Sequence, residues 1–157
     1  MSRIDEIEDA EILYYVYNLY WLLPKENQEI AIDFLINLPP DKTDMIIPKY
    51  GKECWKNSVR VIKKIRYPNN KKALPKLARL LQHRHWPDSL EAIELFRELG
   101  KAIATPYIEQ ECISACKQKD LDWLENLFFA CNSLNYSEND FKHKDSYRSM
   151  KKSAESL

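Results

Sequence analysis

Two histidines and two cysteines are of the residue types that bind zinc. His83 and His85 are separated by one residue, and Cys112 and Cys116 lie one helical turn apart on a later segment. Structural zinc sites usually combine closely spaced pairs with Cys-x-x-Cys regularity, which this sequence lacks. We therefore expect no metal and no cofactor, and we expect Cys112 and Cys116 to line the core.

The strongest charge feature is a run of basic side chains. Residues 54–87 hold ten bases and no acid, whereas residues 1–53 hold 11 acids and five bases and residues 88–126 hold nine and four. The ten are Lys56, Arg60, Lys63, Lys64, Arg66, Lys71, Lys72, Lys76, Arg79 and Arg84. Because the net charge is zero, this pattern predicts a basic stripe between two acidic regions. Two interpretations stay open: the cations pair with acids on neighbouring helices, or they bind an acidic partner, protein or nucleic acid.

Five aromatic residues near the N-terminus form a third cluster. They are Tyr14, Tyr15, Tyr17, Tyr20 and Trp21. Such rings can stack on bases or enclose a ligand, but packing in the core and over one end of a helical stack is the interpretation we favour.

The composition argues against catalysis. With only two glycines, Gly51 and Gly100, the chain has no dinucleotide fingerprint, phosphate-cradling loop or nucleophile elbow. No acid–base or nucleophile–base pair can be placed by sequence spacing. We therefore expect a protein that is not an enzyme.

The sequence also predicts a location. The first eleven residues carry five acids and one arginine, the reverse of a secretory signal. The longest apolar run has twelve residues, fewer than the roughly 20 needed to span a bilayer. The four cysteines show no disulfide framework. These features favour a cytoplasmic protein with free thiols and no membrane contact.

The chain matches itself at an offset of 31 residues. This offset aligns Trp55 with Trp86, Ser58 with Ser89, Ile62 with Ile93, Ala73 with Ala104, and Pro75 with Pro106. A period in this range is typical of stacked helix pairs that cannot bury their apolar faces alone. A residue that recurs with its packing pattern is a structural anchor, so we expect Trp86 to be buried.

The clearest copy of the repeat predicts two helices. Residues 73–83 carry Leu74, Leu77 and Leu81 on one stripe. The second helix follows Trp86 and ends at Gly100, the residue type expected just past a helix.

Two more helix starts follow. Thr105 as N-cap and Pro106 at the first position predict a new helix. Asp120 or Asp122 is expected to cap a final strong helix over residues 123–134.

The segments outside the repeat are less regular. Residues 4–22 read as one long helix with a buried seam at Ile7, Ala10, Tyr14, Tyr17 and Trp21. A second helix is expected over residues 30–38 and a short one around residues 45–47. Residues 135–157 are either a docked amphipathic helix or a mobile tail.

Together these patterns predict an all-α fold, a short right-handed α-solenoid of HEAT-like antiparallel helix pairs. One domain would span residues 1–157. It would consist of N-terminal capping helices at 1–40, repeat units at 41–134, and a polar tail or helix at 135–157.

A family resemblance supports this fold. Leu74-Pro75-Lys76-Leu77, Trp86-Pro87, Leu99-Gly100, Pro106-Tyr107-Ile108 and the late Trp123 resemble a family of small bacterial HEAT-like proteins with the pattern L-P-x-L, Trp-Pro, Gly, Pro-x-Ile, Trp. The match covers residues 23–131, interrupted by an extra helical pair at 45–70.

The resemblance also implies a function, because related HEAT-like proteins are often immunity partners of bacterial toxins. It implies a non-catalytic protein-binding module whose partner is a protein, such as a toxin. The alternative is a nucleic-acid-binding protein that uses the basic stripe.

Overall fold

The computed structural model describes residues 8–86 and 88–156, and every regular element in these ranges is a helix. The predicted all-α class is therefore confirmed. The chain divides into two compact units, Met1–Leu77 and Ala78–Leu157, called unit 1 and unit 2 below. The solenoid arrangement and the single domain stay predictions. Predicted features that fall on residues 1–7, including Ile7 in the seam, and on Pro87 lie outside the described residues.

Unit 1 is built from short helices. They are α1 (Asp9–Tyr17), α2 (Lys25–Leu35), α3 (Trp55–Ile65) and three 3-10 helices at Pro40–Met45, Lys52–Cys54 and Lys71–Ala73. Pro24 directly precedes α2, so the helix predicted at 30–38 begins five residues earlier, where proline presets the first turn. Pro40 opens a 3-10 helix in the same way, slightly before the short helix predicted around 45–47.

Helix α1 differs from the prediction in both length and orientation. It ends at Tyr17, and its buried side chains are Ile12 and Val16, with Leu19 buried just beyond the helix. The predicted seam is wrong, because Tyr14, Tyr17 and Trp21 are 63%, 47% and 58% exposed. From Ile12 onward the helix is apolar on every side, so periodicity alone selects no face there. Ile, Val and Leu have no polar atom to satisfy, and they bury at lower cost than rings that carry O–H or N–H groups.

Helix α3 is anchored to the loop before it by two buried polar groups. The Trp55 indole donates a hydrogen bond to the carbonyl of Pro48 at 2.8 Å. The Ser58 hydroxyl donates to the carbonyl of Ile46, also at 2.8 Å. Apolar burial of Val59 and Ile62 completes the inward face. These bonds satisfy loop carbonyls that would otherwise be buried without donors.

Unit 2 contains the longer helices. Helix α4 (Leu74–Arg79) begins in unit 1 and ends in unit 2; it is followed by a 3-10 turn at Leu80–Gln82, α5 (Ser89–Leu99), α6 (Lys101–Gln118), α7 (Leu121–Ser133), a 3-10 turn at Glu138–Asp140, and α8 (Lys144–Glu155). The predicted stripe of Leu74, Leu77 and Leu81 is buried. Gly100 ends α5 with a φ of +85°, a conformation that favours glycine. Asp120, one of the two predicted caps, accepts from the Trp123 backbone N–H at 3.1 Å.

Helix α6 begins before the predicted start at Thr105 and Pro106. It runs from Lys101 with Pro106 inside it, so the Ala102 carbonyl lacks the N–H of residue 106 as a partner. Such a proline costs about 3 kcal/mol in a helix interior. The full burial of Ile108 and Cys112 on the same helix outweighs that cost, since each buried apolar side chain contributes about 1.5–3 kcal/mol.

The C-terminal segment is docked on unit 2. Tyr136, Phe141, Tyr147 and Met150 are all buried, and the latter two lie on α8. Of the two predicted alternatives, the amphipathic helix is therefore the one observed in the described residues.

The 31-residue repeat recurs in burial but not in helix boundaries. Ile62 and its counterpart Ile93 are both buried, yet Trp55 is the first residue of α3 while Trp86 lies three residues before α5. Trp86 is only half-buried and stacks on His83 with ring centroids 5.8 Å apart. The prediction that Trp86 is a buried anchor is wrong: in the loop ahead of α5 its ring is partly exposed and stacks along the His83 ring.

These two tryptophans give a direct stability test. Trp55→Ala should lower the free energy of unfolding by about 3–5 kcal/mol, because it removes a buried ring and leaves the Pro48 carbonyl without its donor. Trp86→Ala should cost about 1–2 kcal/mol, since this ring is less buried than that of Trp55. Urea denaturation followed by circular dichroism measures both. An equal or larger loss for Trp86→Ala would contradict this assignment.

Candidate functional site

Eight of the ten predicted stripe residues lie in unit 1, and all eight are exposed. Lys56, Arg60, Lys63 and Lys64 occupy the outer face of α3, opposite its buried side chains. Arg66, Lys71, Lys72 and Lys76 follow on the segments that lead into α4. These eight cations therefore give the outer face of α3, and the segments between α3 and α4, a strongly positive electrostatic potential.

Most of these unit 1 cations are not neutralised within the protein. Lys72 donates to the carbonyl of Asp41, and Arg60 donates to the Asn57 side-chain oxygen at 3.0 Å. Within residues 8–86 and 88–156, the side chains of five others make no ion pair or hydrogen bond; they are Lys56, Lys64, Arg66, Lys71 and Lys76. For these five, pairing with neighbouring acids is not what the structure shows.

The two stripe residues in unit 2 behave differently. Arg79 pairs with Glu111 at 3.3 Å, and Arg84 pairs with Glu125 at 3.2 Å while lying over the ring of Phe129. Glu111 is buried; burial raises the pKa of its carboxyl, and the nearby Arg79 offsets this only in part. Arg79 and Arg84 are therefore internally paired, as the first interpretation expected.

An exposed apolar group lies beside the basic face of α3. The Tyr17 ring lies against Gly51: a Cβ atom added to this glycine would lie only 3.4 Å from the ring. Trp21 and Leu22 are 58% and 65% exposed, and the Trp21 backbone N–H donates to the Glu53 carbonyl at the start of α3. The exposure of Tyr17 and Trp21 was not predicted, because both residues were expected in the buried seam of the first helix.

A chain of hydrogen bonds fixes these residues relative to α3. Asn57, which is buried, donates to the Leu19 carbonyl at 2.8 Å and to the Gln28 side-chain oxygen at 2.9 Å. Gln28 in turn donates to the Trp21 carbonyl at 3.1 Å. Since Asn57 also accepts from Arg60, a continuous polar connection runs from the basic face to the exposed tryptophan. We call Tyr17, Trp21, Leu22, Lys56 and Arg60 the α1–α3 surface.

The residues considered for zinc are not assembled into a site. The described residues contain no group of three or more potential ligands. The Cys112 and Cys116 thiols approach the Ser146 carbonyl of α8 at 3.3 and 3.8 Å. Burial raises the pKa of both thiols, so both are protonated at neutral pH.

Unit 2 contains a pocket, lined by both polar and apolar side chains, that the sequence did not predict. It has a volume of about 470 Å³ and is lined in part by Lys101, Gln110, Asn139, Lys142 and His143. Its wall also contains Glu109 of α6, although the rest of that side chain is buried. No sequence signal joins these residues, because they come from two segments, 101–113 and 139–143, that lie at least 26 positions apart.

The Glu109 carboxylate holds the start of α8. It accepts the backbone N–H of Lys142 at 2.9 Å and that of His143 at 2.8 Å, and it also bonds the His143 ring through Nδ1. Burial raises the pKa of Glu109, but the hydrogen bonds from His143 and the two backbone groups lower it by more, so the net shift is downward. The ionised form is thus the form that the fold stabilises.

Comparisons with known proteins add no relative: no family model, curated protein or solved structure matches this chain. The resemblance to HEAT-like proteins therefore rests only on the residues quoted for it. Among the described helices, none combines the length and apolar character required to cross a bilayer.

The pKa shift of Glu109 predicts an acid-dependent loss of stability. Because its folded-state pKa lies below the ordinary value of 4.5, its contribution is complete above that pH and is lost as pH falls through the folded pKa. Glu109→Gln should lower the free energy of unfolding at pH 7 by about 1.5–3 kcal/mol, and the gap to wild type should narrow toward pH 3. Denaturation at both pH values measures this. Glu91→Gln, which replaces an exposed acid of α5, is the control. If wild type and Glu109→Gln differed in free energy of unfolding by the same amount at pH 3 as at pH 7, the lowered pKa of Glu109 would be contradicted.

Proposed function

We propose that this protein is a non-catalytic helical binding module whose α1–α3 surface contacts a protein partner with acidic side chains around an apolar centre. The observation that carries the proposal is that Trp21 and Leu22 are exposed while hydrogen bonds join the Trp21 segment to α3. The outer face of α3 carries Lys56 and Arg60. Trp, Tyr and Arg are the residues most enriched at the centres of protein interfaces. Lysines without internal partners provide charge complementarity at the rim.

Pre-organisation supports the same surface. Arg60, Asn57 and Gln28 hold the segment around Trp21 in place before any partner binds. A side chain whose position is already fixed loses less conformational freedom on association, so more of its contact energy appears as affinity.

Two more specific proposals concern the arrangement of the helices and the kind of protein partner. We propose a short α-solenoid of HEAT-like pairs, supported by the recurring burial of Ile62 and Ile93, and of Ala73 and Ala104, across the 31-residue offset. We further propose a bacterial toxin as the partner of an immunity-type protein. This part is supported by the sequence resemblance alone.

Nucleic acid is the second candidate partner. Lys56 and Lys64 of α3 and the exposed rings of Tyr17 and Trp21 also suit a single strand, whose phosphates need cations and whose bases stack on rings. Against it, the acids Glu26 of α2 and Glu53 lie exposed in the same unit, Glu29 of α2 is partly exposed, and all three would repel a long polyanion.

Co-purification with the product of the neighbouring gene tests the protein partner. Trp21→Ala should weaken binding about thirtyfold, the effect of losing roughly 2 kcal/mol at a central aromatic contact. Lys56→Glu combined with Arg60→Glu should weaken it further and reduce its dependence on salt. Leu121→Ala and Lys117→Glu are matched controls, since both replace exposed residues of unit 2.

The outcomes separate the two candidates. Equal binding by wild type and the Trp21→Ala variant would refute the α1–α3 surface as the binding site. A gel shift with single-stranded and duplex DNA and with RNA tests the alternative; on duplex DNA, the logarithm of the affinity should fall by about 0.9 per neutralised phosphate per tenfold rise in salt. Binding to nucleic acid that is lost in the charge-reversal variant would replace the protein-partner proposal.

A further inference from the structure

The hydrogen bonds of His143 fix which ring nitrogen carries the proton. The Glu109 carboxylate is ionised and can only accept, so the His143 Nδ1 that bonds it must donate. In the neutral imidazole the lone pair is then on Nε2. The side chain is 65% exposed and lines the unit 2 pocket, and no described residue bonds Nε2. A nucleophilic nitrogen is therefore available to a ligand in this pocket.

His83 shows the opposite arrangement in the same unit. Its Nδ1 accepts the backbone N–H of His85 at 3.3 Å. The neutral ring must then carry its proton on Nε2, so that nitrogen has no lone pair to offer. The chain thus contains an internal comparison between two exposed histidines of opposite tautomer.

The pocket around His143 also contains uncommitted donors. Lys142, Gln110 and Asn139 are exposed lining residues, and within the described ranges their side chains make no hydrogen bond or ion pair. The acids of the pocket, by contrast, are already satisfied: Glu109 by α8, and Asp140 by Lys101 and the Ser137 N–H. One ammonium and two amides are therefore free for an incoming anionic group, while the carboxylates are occupied.

We propose that His143 is a phosphoryl-acceptor site. The Nε2 lone pair attacks the phosphorus of a small phosphoryl donor, an N-phosphoryl or acyl-phosphate compound, and forms an N–P bond. The bond from phosphorus to the leaving group breaks, and the leaving group takes the electron pair: an acyl phosphate releases a carboxylate, and an N-phosphoryl donor, protonated on nitrogen, releases the neutral amine. The ring keeps its Nδ1 proton, and the Glu109 carboxylate balances the positive charge that the ring gains.

The surrounding groups have separate parts in this step. Lys142, Gln110 and Asn139 would hold the transferred phosphoryl oxygens, and Glu109 is a positioning residue that acts through the ring. The proposal goes beyond the binding function proposed above and is independent of it, since it involves only residues of unit 2.

Phosphoramidate is the probe that tests the site. Its N–P bond breaks with release of ammonia, and mass spectrometry with alkaline work-up retains the acid-labile phosphohistidine. We expect His143 to be phosphorylated on Nε2 about tenfold or more faster than His83 in the same molecule. A carboxylate hydrogen-bonded to the other ring nitrogen of a histidine typically changes its reactivity by about this factor. His143→Gln should abolish the fast phase, and His83→Gln should leave it unchanged.

Glu109→Gln tests the role of the carboxylate. A glutamine amide can donate to Nδ1, which moves the ring proton to Nε2 and removes the nucleophile, so the rate should fall to that of His83. Since this variant also weakens the start of α8, ¹⁵N chemical shifts of the wild-type histidines provide a second measurement that needs no substitution. A protonated Nε2 in neutral His143, or equal labelling of His143 and His83, would overturn the proposal.

Discussion

Short helices leave many backbone groups unpaired at their ends, and burial of those ends is possible only where side chains supply the missing bonds. Unit 1 meets this constraint with Trp55 and Ser58, which bond the loop before α3, and with Asn57, which bonds the loop after α1. Unit 2 meets it with Glu109, whose carboxylate takes two N–H groups at the start of α8. The loops that carry the exposed features of each unit are fixed by these few polar contacts.

The same constraint explains how the two candidate sites arise. In unit 1, Asn57 and Gln28 satisfy the turn after α1, and this leaves Trp21 outside the core next to the basic face of α3. In unit 2, the carboxylate that anchors α8 also bonds the ring of His143 and so orients it. In both cases a structural hydrogen bond sets the geometry of a side chain that faces solvent.

Local signals in the sequence predicted the local features of the fold. Gly100 ends α5 because glycine adopts a positive φ without strain, and Asp120 caps α7 because its side chain accepts an N–H that the helix leaves unpaired. In each case one residue type is sufficient, so the sequence alone predicts the feature. The start predicted at Pro106 failed because burial along an 18-residue helix outweighs one lost bond. The inward face of α1 could not be chosen from periodicity, since that helix is apolar on every side from Ile12 onward.

The candidate sites depend on contacts that sequence spacing does not contain. The ten basic residues were identified, but only the structure separates Arg79 and Arg84, which are paired, from Lys56 and Lys64, which are not. Glu109 and His143 lie 34 positions apart, and neither belongs to a recognisable motif. A carboxylate on one helix and the first turn of another meet only through tertiary packing.

The unequal burial of the four tryptophans has an optical consequence. Trp55 and Trp123 are 6% and 3% exposed, whereas Trp21 is 58% exposed. Indole emission shifts to longer wavelength in contact with water, so Trp21 dominates the red edge of the intrinsic fluorescence, with the half-buried Trp86 second. Any molecule that covers Trp21 removes water from that ring and moves the emission toward the blue. The protein therefore carries its own spectroscopic reporter at the α1–α3 surface, and occupancy there can be followed without a label.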